Sequence, residues 1–316
     1  MKTRFIFNPC SGHNRRRPGL DASIRAFISS CSLDAEMVTT DAPGHATELA
    51  REAAQAGCGQ VVAVGGDGTM NEVAQALLHT PAALALVPCG SGNGLALHLG
   101  LPLAPRAALT LIAGAGIAGR VAAIDTGTAD GWPFFNAMGL GLDAEVSHRF
   151  NGLVQRGLPG YVRTALAAVR NLRPERVRLT GAACDEERDV LLVAVANSDQ
   201  YGNHARIAPG ARVDDGLLDL VAVAPVGLVG AAVLAGRLFT GTFDRSPRVR
   251  HLRGAAFVIE RAAPGLLHTD GETHPAGARV EVRVQPRSLR VLVPLTSRAA
   301  AQPVDSAPAG FALHLP

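Results

Sequence analysis

Apolar positions in the first third of the chain fall into short continuous runs separated by stretches of helical periodicity. The runs at 4–8, 36–40, 60–64 and 83–87 read as strands, and the stretches at 20–30, 46–56, 71–78, 92–99 and 105–113 read as helices. Strands that alternate with helices predict a parallel sheet covered on both faces. Unbroken apolar strands fit that arrangement, because neither face of such a sheet meets water.

From about Ile124 the pattern changes. Strand-like runs at 176–180, 189–196, 217–224, 256–260, 279–284 and 289–293 follow one another with few helices between them, which predicts a mostly antiparallel, sandwich-like β unit. Helical patterns at 161–172 and 226–238 interrupt it and would cover a sheet edge or face. The Ala- and Pro-rich stretch from Thr296 reads as a flexible tail. The predicted organisation is an α/β domain over 1–123, a β-rich domain over 124–295 and a tail over 296–316. A length of 316 residues fits two cores better than one.

Composition narrows the chemistry. No apolar run approaches the roughly 20 residues that cross a bilayer, and the N-terminus runs straight into a strand, so neither a signal peptide nor a spanning helix is expected. Five scattered cysteines without a Cys-x-x-Cys pair read as reduced thiols of a cytosolic protein. A net charge of +3 and 4% aromatic residues argue against a nucleic-acid partner, while a weakly basic face leaves contact with anionic lipid open. Lys2 is the sole lysine, which excludes a P-loop nucleotide site.

Three glycine-bearing loops each follow a predicted strand. Gly65-Gly66-Asp67-Gly68-Thr69 leads into a helical stretch carrying Asn71 and Glu72. Pro88-Cys89-Gly90-Ser91-Gly92-Asn93 repeats the pattern, and Asn8-Pro9-Cys10-Ser11-Gly12 follows the first strand. Glycines let backbone N–H groups approach an anion, and a helix N-terminus favours negative charge. A single Gly-Asp-Gly is as easily a turn capped by Asp67. Three such loops at the carboxyl edge of one sheet, where ligands of open α/β sheets bind, point to a phosphate site. No Gly-x-Ser-x-Gly elbow is present, so a serine nucleophile is not indicated.

These residues resemble the catalytic domain family shared by diacylglycerol kinases, sphingosine kinases and bacterial lipid kinases. Further matches are Asp125, the stretch 136–143, Ala208-Pro209 leading to Asp215-Gly216-Leu217-Leu218-Asp219, and Asp270-Gly271-Glu272. NAD kinases share the Gly-Gly-Asp-Gly-Thr loop, whereas the Gly90 to Asn93 loop looks like the lipid-kinase version. The resemblance implies an ATP- and Mg²⁺-dependent kinase of a lipid alcohol at a membrane surface, diacylglycerol or a relative. A soluble-cofactor kinase and a catalytically silent nucleotide-binding regulator are the alternatives; a homodimer is left open.

The resemblance also implies residue roles. Glu272 is the general base, with Asp270 beside it and Asp67 near the phosphates. Asn8, Pro9, Ser11, Gly12, Thr40, Gly65, Gly66, Gly68, Thr69, Asn71, Glu72, Gly90, Ser91, Gly92 and Asn93 contact the nucleotide. A Mg²⁺ is held by the Asp215 carboxylate with main-chain carbonyls of Arg212 and Leu217, and Asp125 and Asp143 join a charge and water network counted with the metal site. By themselves, Asp270-Gly271-Glu272 is an ordinary hairpin turn and the 215–219 segment a tight turn before a strand.

Two departures from the family pattern stand out. His13-Asn14-Arg15-Arg16-Arg17 occupies a place where relatives often carry a lysine, and its arginines could meet phosphate, anionic lipid or only water. Tyr201-Gly202-Asn203-His204 lacks the additional glycines of many relatives. His98 and His268 share no metal-ligand spacing and read as packing or surface histidines.

Overall fold

The computed structural model describes residues 1–12, 14–16, 18–114, 118–141 and 174–300. In the first half the elements are β1 (Thr3–Phe7), α1 (Leu20–Ser30), β2 (Ala35–Thr39), α2 (His45–Gln55), β3 (Gln60–Gly65), α3 (Asp67–Leu77), β4 (Ala83–Pro88), α4 (Gly94–Leu99) and α5 (Pro105–Ile112). Strands β2-β1-β3-β4 lie side by side in parallel.

Every residue of β3 and β4 is buried. Because strand side chains alternate, successive residues feed opposite cores. Val61, Ala63, Leu84 and Leu86 join a core with Ala46, Ala50, Val73 and Leu77 of α2 and α3. Val62, Val64, Ala85 and Val87 join Ile24, Ile28, Ala108 and Leu109 of α1 and α5. The sheet is therefore covered on both faces, as the apolar runs predict.

The second half contains β5 (Gly119–Ala129), β6 (Trp132–Phe134), β7 (Ala137–Gly141), β8 (Glu175–Gly181), β9 (Cys184–Val190), β10 (Leu192–Ala196), β11 (Gln200–Gly202), β12 (Ala205–Arg206) and β13 (Leu218–Val223). Helix α6 (Leu228–Thr240) follows, then β14 (Val249–Gly254), β15 (Ala256–Arg261), β16 (Gly265–Thr269), β17 (Glu272–Ala276) and β18 (Arg279–Pro294). An antiparallel six-stranded sheet runs β14-β13-β10-β7-β16-β17. It packs on the β18-β15-β8-β9 part of a larger sheet through Met138, Leu140, Val193, Val195 and Leu220 on one side and Leu179, Phe257, Ile259, Val280 and Val282 on the other.

Three apolar runs resolve differently from their sequence reading. The run at 189–196 is not one strand: β9 ends at Val190 in the larger sheet and β10 begins at Leu192 in the smaller one. The chain turns the corner of the sandwich at buried Leu191, with no glycine or proline to mark the break. Conversely, 279–284 and 289–293 belong to a single sixteen-residue strand, β18, with an irregularity between Gln285 and Leu289 and a positive φ at Arg287.

Strand β18 pairs antiparallel with β5 and β15 and touches β4 in parallel at Val291 and Leu84. It thereby joins the sandwich to the α/β half in one continuous ten-stranded sheet. The helix expected at 161–172 lies outside the described residues, as does the tail beyond 300; before it, Ser297 is buried and Arg298–Ala300 form a 3₁₀ turn. All five cysteines are free thiols, and no helix among the described residues is long and apolar enough to cross a membrane.

Candidate functional site

The three glycine loops meet at the carboxyl ends of β1, β3 and β4. Their contact requires glycine at specific points. A Cβ on Gly90 would lie 2.7 Å from the Gly66 Cα, and one on Gly66 would lie 3.0 Å from the Gly90 Cα and 3.4 Å from the Ser11 hydroxyl. A Cβ on Gly12 would meet the Cys89 carbonyl oxygen at 3.4 Å. A Cβ on Gly65 would strike the Thr69 side chain. The backbone is bare where the loops approach, which leaves a surface of main-chain groups at the start of α3.

Polar side chains fix these loops. The Asn8 amide donates to the Thr69 hydroxyl at 2.9 Å, and the Asn8 Oδ1 accepts the Cys10 N–H at 2.9 Å. Buried Asn14 donates to the Asn8 carbonyl oxygen at 2.7 Å and so ties down the first loop. Asn93, at φ +50°, accepts the Gly90 N–H at 3.0 Å and donates back to the Gly90 carbonyl at 2.9 Å. Thr40 is buried at the end of β2, its N–H on the Phe7 carbonyl at 2.9 Å.

Asp67 and Glu72 both act on helix starts. The Asp67 carboxylate accepts the N–H groups of Asn93 and Gly94, each at 2.8 Å, and so caps α4. The Glu72 carboxylate accepts the Ala46 N–H at 3.1 Å, at the start of α2, while its carbonyl takes the Thr47 hydroxyl at 3.0 Å. Asn71 is buried on α3, Gly68 begins that helix beside Asp67, and Ser91 is exposed at the tip of its loop.

The sandwich contributes the facing wall. Asp270 sits at φ +49° in the turn between β16 and β17, and its carboxylate accepts the N–H groups of Phe135, Asn136 and Ala137 at 2.7, 2.8 and 3.0 Å. Burial pushes this carboxyl up to about 6, against the pull of those three donors. Asn136 in turn accepts the Ser198 hydroxyl at 2.8 Å and stands against Gly94, whose added Cβ would meet it at 3.3 Å. Glu272 opens β17 with its side chain exposed, and partial desolvation of the carboxyl, then the charge of Glu72, raise it above the ordinary range. Glu72 stands on the helix that leaves the glycine loop and Glu272 on the hairpin that Asp270 opens.

Several residues without an assigned site role in the sequence also shape this region. The Gly202 turn closes on the third loop: Asn203 N–H donates to the Gly92 carbonyl at 2.9 Å. Gly202, Asn203 and His204 all take positive φ, so the turn forms with one glycine because Asn and His tolerate that region. His98 is no packing histidine, since its Nδ1 lies 2.6 Å from the Asp199 carboxylate across the two halves. Burial pushes Asp199 up, but the hydrogen bond and charge of His98, with Gln200 and Arg206, outweigh it and hold the carboxyl below the ordinary range. His268 is buried, as its packing reading requires.

The expected metal residues form a separate constellation. Asp125, Arg212, Asp214, Asp215, Gly216, Pro286 and Arg287 line an open depression of about 570 Å³. Asp125 is buried and accepts the Gly216 and Arg287 N–H groups at 2.7 and 2.8 Å. Burial raises its carboxyl and those two bonds oppose the rise, while the charges of Asp215 and Asp214 add to it. Asp215 accepts the Leu217 N–H at 3.1 Å and pairs with Arg253, and Arg212 pairs with Asp214 at 3.0 Å. Among the described residues no three His, Cys, Asp or Glu side chains converge in a metal-holding group. Asp143 and Arg17 lie outside the described residues.

The diacylglycerol kinase catalytic domain matches residues 2–129, and the YegS C-terminal NAD kinase beta sandwich-like domain matches residues 136–293. A Pseudomonas fluorescens protein named "Probable lipid kinase YegS-like" is 32% identical over 289 residues, which cover 88% of this chain and 93% of that relative. A protein of the same name from Pseudomonas aeruginosa is 33% identical over 82% of this chain and 85% of its own length. The fold matches a crystal structure of a diacylglycerol kinase from Bacillus anthracis strain Sterne with a TM-score of 0.70 at 20% identity, covering 92% of this chain and 96% of that one. The chain belongs to the YegS-like lipid kinases, which join a diacylglycerol kinase catalytic domain to an NAD kinase-like β-sandwich.

Proposed function

We propose that this chain transfers the γ-phosphoryl group of ATP, with Mg²⁺, to the hydroxyl of a membrane-borne lipid, diacylglycerol or a related glycerolipid, from the cytoplasmic side. The observation that carries this reading is the chain of contacts from Asp270 to the Asn136 N–H and from Asn136 to Gly94, because it brings the hairpin that carries Glu272 against the third glycine loop. Free thiols throughout support a reducing compartment.

The residues fit the nucleotide. The absence of a Cβ at Gly66 and Gly90 lets phosphate oxygens approach the main chain beside the N-terminus of an eleven-residue helix. Asn8, Ser11, Thr69 and Asn93 hold the loops in place, and Asp67 locks the third loop to the second. The oxygen donors around Asp125 and Asp215 suit Mg²⁺; burial raises Asp125, and a cation would relieve the smaller contribution that the charges of Asp215 and Asp214 add. Bound there, through Asp215 with main-chain oxygens of Arg212 and Leu217, Mg²⁺ would supply positive charge that steadies the turn.

Glu272 accepts the proton of the acceptor hydroxyl as the oxygen attacks the γ-phosphorus; the departing oxygen stays on ADP. A raised carboxyl is better matched to that proton than an ordinary one. Asp270 holds residues 135–137 and thereby the hairpin that carries Glu272, and Asn136 extends this hold to Gly94. The Gly202 turn, through Asn203 and Gly92, covers the third loop from the acceptor side.

The reading is tested by offering labelled ATP and Mg²⁺ to mixed micelles of diacylglycerol, sphingosine or phosphatidylglycerol, and to soluble NAD. Label in diacylglycerol is the expected outcome. Label in NAD alone would replace the lipid reading by a soluble-cofactor kinase, and ATP binding without transfer to any acceptor would favour a regulator.

A further inference from the structure

Helix α6 has the sequence LVGAAVLAGRLFT and carries no acidic residue. Placed at 100° per residue, Leu228, Val229, Ala232, Val233, Gly236, Phe239 and Thr240 fall on one arc, and that arc faces solvent. Leu228 is 51% exposed, Val229 80%, Val233 55% and Phe239 41%, whereas Leu234 on the opposite arc is buried. A surface helix normally turns charge to water. This one turns its aliphatic side outward, and these four side chains account for nearly half of the exposed large hydrophobic residues among the described residues.

The rim of the arc is basic. Arg237 closes one edge and donates to the Thr242 carbonyl at 3.1 Å. Arg245 and Arg248 follow the helix and are exposed, and Asp244 is the only acidic residue between 225 and 250. Gly241, at the end of α6, abuts the Arg206 guanidinium, to which an added Cβ would come within 3.3 Å. Arg206 belongs to the β11–β12 hairpin whose turn reaches Gly92, so the apolar face lies one element from the third glycine loop.

We propose that the exposed face of α6 seats in the interface of an anionic phospholipid bilayer, its aliphatic side chains among the acyl-chain ends and the flanking arginines on the headgroups. This rests on the reading that the acceptor lipid is presented in a membrane. The charge decides the occupant: a second copy of the chain would bring the same arginines together, whereas an anionic lipid surface neutralises them. Docking at α6 brings the bilayer beside the hairpin that covers the acceptor side of the site.

The test is co-sedimentation of the full chain with vesicles of phosphatidylcholine alone or with roughly one-third phosphatidylglycerol. Wild type is expected to bind the anionic vesicles at least about tenfold more tightly than the neutral ones. Val229→Asp with Val233→Asp should weaken that binding about tenfold or more, and Arg245→Gln with Arg248→Gln should weaken it on anionic vesicles only. Phosphorylation of a dispersed short-chain diacylglycerol is followed in parallel. Its retention in the aspartate variant shows that the fold is intact, and its absence in wild type would sink the lipid-kinase reading without touching the vesicle result. If the double variant cannot be obtained folded, Val229→Asp alone, at the most exposed position, carries the test. Unchanged vesicle binding in the aspartate variants would overturn the proposal, and a dimer turned to monomer with unchanged vesicle binding would assign the face to a second copy.

Discussion

The Asp67 carboxylate accepts the Gly94 N–H at 2.8 Å, so the start of α3 holds the start of α4. Asp67→Ala leaves the Asn93 and Gly94 N–H groups without this acceptor and is expected to cost about 1–2 kcal/mol of stability, with severe loss of turnover. Thermal unfolding and ATP titration check it. A near-normal rate would mean that the loop contact is structural only.

Gly92→Ala attacks the same junction from the other side. Its Cβ would lie 2.6 Å from the Asp67 carboxylate and 3.9 Å from the Gly202 Cα, so the third loop must move away from both. ATP affinity is expected to fall by about tenfold with little change in global stability, as calorimetric titration would show.

Asp270 gives a pH signature. Its folded carboxyl is raised to about 6, so the folded chain holds a proton there that the unfolded chain releases nearer the ordinary aspartate value of 3.8. Above about 6 the carboxyl therefore destabilises the fold, and stability recovers as pH falls through that window. Relative to Asp270→Asn, wild type should therefore gain about 2 kcal/mol between neutral pH and pH about 4. Denaturant unfolding of both chains across this range tests it; parallel curves would mean the three N–H donors hold the carboxyl ionised throughout.

Glu72 and Glu272 are coupled by charge. Neutralising Glu72 removes one of the two causes that raise Glu272. Glu72→Gln should shift the acid limb of kcat/KM to lower pH while the alkaline limb stays in place. An acid limb that does not move would separate the two carboxylates or remove Glu272 from the rate.

His98 and Asp199 hold the two halves together at 2.6 Å. Asp199 is depressed, so its contribution is present above the ordinary carboxylate range and is lost as pH falls through its lowered value. His98→Ala is expected to lower stability by about 1 kcal/mol and to raise KM for the lipid more than for ATP, because the bridge positions the Gly202 hairpin. Equal effects on both KM values would make the bridge merely structural.

The parallel sheet was legible in the sequence because each buried strand is an apolar run closed by glycine, proline or a helix start. The glycine loops were legible for the same reason: strand, glycine and helix follow one another in register. What the sequence concealed depends on long-range pairing. Nothing near Leu191 marks the change of sheet, and nothing in 279–294 shows that one strand spans both halves until β4 and β5 are beside it. The roles of Asn14, His98, Asn136 and Asp199 were likewise hidden, since each is an ordinary polar residue whose partner lies far along the chain. Asp67 was read for phosphates, yet its carboxylate is engaged by two backbone donors, a task that only the fold reveals.

The central claim is that Glu272 takes the proton from a lipid hydroxyl opposite the glycine loops. Single-turnover transfer from labelled ATP to diacylglycerol micelles, run side by side with wild type and Glu272→Gln after matching their ATP affinities, tests it most directly. The expected result is equal ATP binding with labelled lipid formed about 10²-fold or more slowly in the variant. Equal rates in the two chains would contradict it.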